Sequence, residues 1–366
     1  MVSGDNQLVG CGTPGAMTNP DAMTNDTTPP GSAPAFPVQP GPLAFHRMAL
    51  TTGQHGWWQP LAGTALVLTA TAVMTVMLAA GTEIAGELAN RPPDSEGTAT
   101  WGDIGDTALA LLSIAFAIPA VLLAAHCVQH RPMGTVSSVE SRLRWRWLAI
   151  CLALALPLVS LTVAVQALLP APAGESGDPA WAGTSAFLTG LATVWLLVPF
   201  QAAAEEYAFR GWLLQAVGAW CRSPWMAITP QALLFAAAHG WGTVWGFTDL
   251  VVFGVVTGWL TIRTGGLEAA IALHILNNLV SMSIAAAFAG AFASDDTAAD
   301  MDWAAVAIDV PMVLLYATAV LWVTRRRERA NGTDVPGGPN TSSAPPTPQT
   351  AAASRPTGYM DPAAEA

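Results

Sequence analysis

Lysine is missing from the 366 residues: all 14 basic side chains are arginine, set against 25 acidic ones for a formal net charge of −11. Charge of either sign is scarce, at 11% of residues, where a soluble globular domain carries about 25%. That scarcity excludes an ordinary water-soluble globule. The acidic balance, with no basic stripe, argues against a nucleic-acid partner. The four cysteines, Cys11, Cys127, Cys151 and Cys221, lie too far apart for a disulfide framework or a zinc knuckle. Familiar hydrolase signatures are absent as well. There is no His-Glu-x-x-His helix, no Gly-x-Ser-x-Gly elbow, no Walker loop and no pair of membrane aspartates.

What is present is apolar sequence, 52% of the chain. Stretches 61–80, 107–127, 147–169, 183–203, 225–242, 248–262, 267–290 and 303–324 approach or exceed the ~20 residues a helix needs to cross a bilayer. The fifth and sixth are short for full crossings. A spanning backbone must satisfy its own hydrogen bonds, and barrel-type alternation is lacking, so each crossing should be helical. The expected fold is an all-α, polytopic transmembrane helical bundle of about eight spans, with membrane lipids around it. Residues 1–58 and 330–366, rich in Pro, Gly, Ser and Thr, read as disordered tails. No charged start followed by an apolar core marks a signal peptide. The box Leu8-Val9-Gly10-Cys11 looks like a lipoprotein site, but its leader is too short. Between the tails we expect three accessory helices in 59–182, a core in 183–290, and a last helix with a basic stop in 291–329.

Arginine sets the orientation. Loops on the side of the two ends hold Arg47, Arg131, Arg142, Arg144, Arg146, Arg222, Arg263, Arg325, Arg326, Arg327 and Arg329; the other side holds Arg91 alone. Positive residues collect in the cytoplasm, so the reading is a multi-pass protein of the cytoplasmic membrane with both termini cytoplasmic.

Few ionisable groups remain inside apolar sequence: Glu205, Glu206 and Arg210 in one segment, His239 in a second and His274 in a third. Each charged group near mid-membrane costs roughly 2.5–3.5 kcal/mol, which makes such residues functional candidates. Helical spacing places Glu206 with Arg210, Phe235 with His239, and His274 with Asn278, while Glu205 points about 100° away from its neighbour. Three segments thus offer polar groups to one cavity. A carboxylate with an imidazole can activate water. An imidazole with a carboxamide can stabilise an oxyanion. The same Glu205, His239 and His274 could instead hold a divalent metal such as zinc.

Structural readings stand beside these. Glu206–Arg210 could be an ion pair stapling helices, and either histidine or Asn278 an interhelical hydrogen-bonder. Tyr207, Phe209 and Trp212 read as packing residues, and Gly258 and Gly265-Gly266 as close-packing and loop glycines. Asp249 reads as a loop residue, Asp309 as near the outer end of the last span and within reach of water. Glu268 begins a span, where a helix start favours an acid. Pro199, six residues before Glu205, should kink its helix. The stretch 183–222 would be about 60 Å long if straight, at roughly 1.5 Å per residue, so it must bend or leave the bilayer.

In order, Glu205-Glu206-x-x-x-Arg210, Phe235-x-x-x-His239 and His274-x-x-x-Asn278 resemble the motifs of the CAAX-prenyl protease type II family, whose bacterial members are called CPBP or Abi intramembrane metalloproteases. The likeness covers about 183–290; Leu214 stands where the family often has an aromatic. The resemblance implies a helical membrane fold with its site inside the bundle, open towards the cytoplasm. It implies that Glu205 and His239 activate water, that His274 and Asn278 serve the oxyanion or site geometry, and that Glu206 and Arg210 orient them. The expected function is hydrolysis of a peptide bond in a peptide or protein substrate at or within the membrane. The alternative is a non-enzymatic membrane protein, such as a proton-coupled transporter or an immunity or scaffold factor.

Overall fold

The computed structural model describes residues 43–53, 55–93, 97–168, 180–294 and 296–330. The Cys11 box and most of both expected tails lie outside them. The described chain is helical, with isolated bridges and no named strand.

Ten α-helices follow one another: α1 Gln59–Leu88, α2 Asp103–Ala115, α3 Ala117–Cys127, α4 Trp145–Gln166, α5 Thr184–Glu206, α6 Leu214–Trp220, α7 Pro224–Ala238, α8 Val244–Thr264, α9 Glu268–Ala285 and α10 Trp303–Ala330. A π-helical turn, Tyr207–Leu213, joins α5 to α6 without interruption, and α2 runs into α3 with a break at Phe116. Counting those runs as single rods, seven helices among the described residues are long and apolar enough to cross a membrane. The chain is a multi-pass membrane protein. The apolar outer face fits that: Leu61, Leu68, Val76, Met77 and Leu88 of α1 are more than half exposed, which suits contact with lipid.

Three expectations are corrected. The span placed at 225–242 is a helix of only 15 residues, Pro224–Ala238, about 22 Å long at 1.5 Å per residue. The tail placed at 1–58 gives way by Leu43: Phe45–Leu50 form a 3₁₀ turn whose Phe45, Met48 and Ala49 are buried. Asp249 belongs to the second turn of α8, not to a loop, so with Asp309 of α10 it makes a pair of buried aspartates on packed spanning helices, where the sequence reading expected none. For Asp309 the reason is that α10 packs on α8 and covers it.

Local chemistry sets the ends around the core. Pro224 starts α7 behind Ser223, a position where its missing N–H is harmless. Thr243 caps α8 by accepting from the Gly246 N–H at 2.9 Å. Gly265, with φ of +70°, ends α8 in a conformation that favours glycine. α9 packs between α4 and α5, and α7 lies against α8. That last pair is antiparallel and close: a Cβ on Gly254 would stand 2.8 Å from the Ala232 backbone, and one on Gly258 2.7 Å from Gln231 Nε2. The Gly254-x-x-x-Gly258 stripe is the small-residue seam that lets membrane helices approach.

Candidate active site

Three helices bring the site together. α5 and the π turn carry Gln201, Glu205, Glu206 and Arg210; α7 carries Phe235 and is capped by His239; α9 carries His274 and Asn278. A π turn holds one residue more per turn than an α-helix and often marks a functional site. Here it contains Arg210.

The deepest layer is an ion pair. Arg210 Nη1 donates to Glu206 Oε1 at 3.0 Å, and both side chains are fully buried. His274 Nδ1 donates to the same oxygen at 2.7 Å. Around them Phe235 is the common wall. Its ring lies 4.0 Å from the Arg210 guanidinium carbon, 4.7 Å from the His239 ring and 5.9 Å from that of His274. Phe253 of α8 stacks on Phe235 at 5.7 Å. A cation over an aromatic face recovers part of what burial costs it.

The second layer is more open. Glu205 and His239 side chains are 13% and 23% exposed, against none for Glu206 and Arg210. His239 Nδ1 donates to the Phe235 carbonyl at 2.9 Å, one of the carbonyls a helix end leaves free. With both Nδ1 atoms donating, the Nε2 atoms of His239 and His274 are left to face Glu205 Oε2, at 3.9 and 3.6 Å. Those separations exceed a hydrogen bond and suit a bridging water. Glu205 Oε2 is buried with no protein partner, as are Glu206 Oε2 and the Nε and Nη2 atoms of Arg210.

Every residue singled out from the sequence, Glu205, Glu206, Arg210, Phe235, His239, His274 and Asn278, falls in this one cluster. His239 reaches the level of Glu205 because α7 is short and ends at the histidine. Gln201 was missed. Its Nε2 donates to Glu205 Oε1 while its Oε1 accepts from Asn278 Nδ2 at 3.1 Å, so it ties α5 to α9 and holds one oxygen of the carboxylate. Its signal was spacing, one turn before Glu205. The segment after α9 was missed too: Thr297 Oγ1 donates to the His239 carbonyl at 3.0 Å.

Among the described residues no group of three His, Cys, Asp or Glu is set to hold a metal ion. Ligands at 2.0–2.1 Å around a tetrahedral zinc stand about 3.3 Å apart, closer than Glu205 Oε2 stands to either histidine. The residues in this arrangement do not fit a metal, and the chemistry below runs through the chain's own groups.

Residues 181–280 match the model of a family described as type II CAAX prenyl endopeptidase Rce1-like. The resemblance read from the three motifs holds over the segment that carries them. Uncharacterized protein YyaK of Bacillus subtilis (strain 168) is 32% identical over 170 residues, 45% of this chain and 56% of that protein. The chain thus spans little more than half the length of that curated relative. No solved structure matches it.

Proposed function

We propose that this chain is an intramembrane peptidase that hydrolyses a peptide bond of a membrane-bound peptide or protein by water held between Glu205 and His239. The observation that carries this reading is the convergence of two imidazole Nε2 atoms on the unpartnered Glu205 Oε2, with the family match over the same segment behind it.

A water at that point donates one hydrogen to Glu205 Oε2 and the other to His239 Nε2, leaving a lone pair for the substrate carbonyl. As the C–O bond forms, the Glu205 carboxylate takes the proton. The oxyanion is met by the second Asn278 N–H, the first being given to Gln201, beside the His274 ring that Glu206 steadies at Nδ1. Glu205 then returns the proton to the leaving nitrogen as the C–N bond breaks, giving a carboxylic acid and an amine. Glu206 and Arg210 touch no reacting atom; they hold His274.

We further assign the arginine-rich face to the cytoplasm of the cytoplasmic membrane. Because α7 runs antiparallel to α8, it counts as a passage despite its length, and both ends of the chain then share that face.

The test is quantitative analysis of protein N-termini in membranes holding the wild-type chain or Glu205→Gln. A precursor should be cleaved only with the wild type, and purified wild-type chain should cleave it equally well after exhaustive chelation. An unchanged set of termini in Glu205→Gln and His239→Ala membranes would overturn the peptidase reading. Ion flux abolished by the same substitutions would put a transporter in its place.

A further inference from the structure

A second charged feature lies away from this site, where α4 begins and α10 ends. A cavity of about 550 Å³ opens there, walled by Arg142, Arg144, Arg146, Arg327, Trp145 and Trp147 with two acids, Glu140 and Glu328, among them. Both helices are long and apolar enough to span, so the cavity sits at a membrane boundary, and Trp145, 72% exposed, is placed as tryptophans are at the bilayer interface. Arg327 lies over the Trp147 ring at 5.1 Å.

The floor of the cavity is fixed. Arg144 donates through its backbone N–H and Nε to Glu268 Oε1, at 2.8 and 2.9 Å, and through Nη2 to Glu268 Oε2 at 2.7 Å. Glu268 is fully buried at the start of α9, so this pair is a rigid, neutral base. Glu140 engages Arg142 at 3.0 Å on the rim. Arg146 and Arg327 stand beside them, and Arg325, Arg326 and Arg329 crowd the same last turns of α10. No acid lies in the first turn of α4, whose N-terminus is itself electropositive. A basic pocket between spanning helices, walled by tryptophan, has the chemistry that receives a lipid phosphate. Guanidinium groups recognise phosphate oxygens two at a time.

We propose that this cavity binds the phosphate-bearing headgroup of an anionic phospholipid, with Arg146 and Arg327 as the side chains that meet the phosphate. Its acyl chains would lie along the exposed apolar sides of α4 and α10. The proposal uses none of the groups assigned to peptide hydrolysis.

The test is mass spectrometry of the intact full-length chain released from micelles doped with equal amounts of phosphatidylglycerol and phosphatidylcholine of matched acyl chains. Wild type should retain one phosphatidylglycerol in clear preference. The preference should fall by roughly fivefold for each arginine removed in Arg146→Gln and Arg327→Gln and survive in part in Arg146→Lys/Arg327→Lys. Both arginines are exposed, so the variants should elute as wild type does. Equal retention of the two lipids by wild type, or a preference untouched in the double Gln variant, would overturn the site. Displacement of the lipid by millimolar inorganic phosphate would reassign the cavity to a soluble phosphate and overturn the lipid assignment.

Discussion

Glu205 is held on one oxygen and free on the other, and Gln201 is the side chain that makes the difference. Replacing it by leucine keeps the volume and removes both tethers, to Glu205 and to Asn278. The carboxylate would then sample orientations away from His239. Misplacing a reacting group by about 1 Å can cost on the order of a hundredfold, so Gln201→Leu should lower kcat by about ten- to a hundredfold with KM little changed. Steady-state kinetics on an identified substrate, with circular dichroism to show an intact fold, checks this. The charged members of the site were legible in the sequence because charge in an apolar run is costly and rare. Gln201 was not, since a neutral amide costs less and carries no motif. Phe253 was equally silent, an aromatic in a helix that looked like any other packing residue.

Helices were legible as apolar runs, and their ends less so. The 225–242 run includes Gly240 and Gly242, both with positive φ, and the helix stops short of them, which sequence hydropathy does not register. The π turn leaves no mark in the hydropathy, because Tyr207–Leu213 continues a helical run on both sides. The α7–α8 seam turns this geometry into a mutational test. Gly254→Leu pushes a branched side chain into the Ala232 backbone. Overpacking of this kind costs about 1–3 kcal/mol, and prying α7 away moves His239 with it. Thermal unfolding in detergent should fall, and proteolysis should fall further than stability alone explains; Gly254→Ala, whose Cβ already meets that backbone, should show both effects in smaller measure.

The Phe45–Leu50 turn supplies a pH test of another element. Burial pushes the His46 imidazole below its ordinary value of 6.5, outweighing the opposite pull of its bond to the Arg222 carbonyl, while Arg47 adds a smaller push in the same direction as burial. Nε2 donates to that carbonyl at 3.1 Å, and the buried Nδ1 has no partner for an added proton. The neutral form is the folded one. Its contribution is present in full above 6.5 and is lost as pH falls through that value and then through the lower folded one. Protection factors of residues 45–50, taken relative to the intrinsic exchange rate at each pH, should fall between neutral pH and about pH 5, and protection flat across that range would contradict the assignment.

Over the whole molecule, the arginines do more than crowd one face. Arg144 and Glu268 fasten the loop before α4 to the start of α9, where two further backbone bonds, from Val139 to Gly265 and from Leu267 to Ser137, at 2.9 Å each, complete the join. The arginine bias was visible in the sequence, but this join was not, since 124 residues separate the two partners. If every helix alternates in direction through α7, tags placed at the two ends should both be reached by a protease only after the cell is permeabilised. A tag cleaved in intact cells would require one fewer crossing.

The contrast in solvent access between Glu205 and His239 on one hand and Glu206 and Arg210 on the other sorts four neighbours by chemical vulnerability. A water-borne carbodiimide would find one carboxyl of the adjacent two, and an acylating agent the imidazole at the end of α7, while the sealed ion pair beneath stays intact. The site can therefore be silenced covalently without unpicking the scaffold that shapes it.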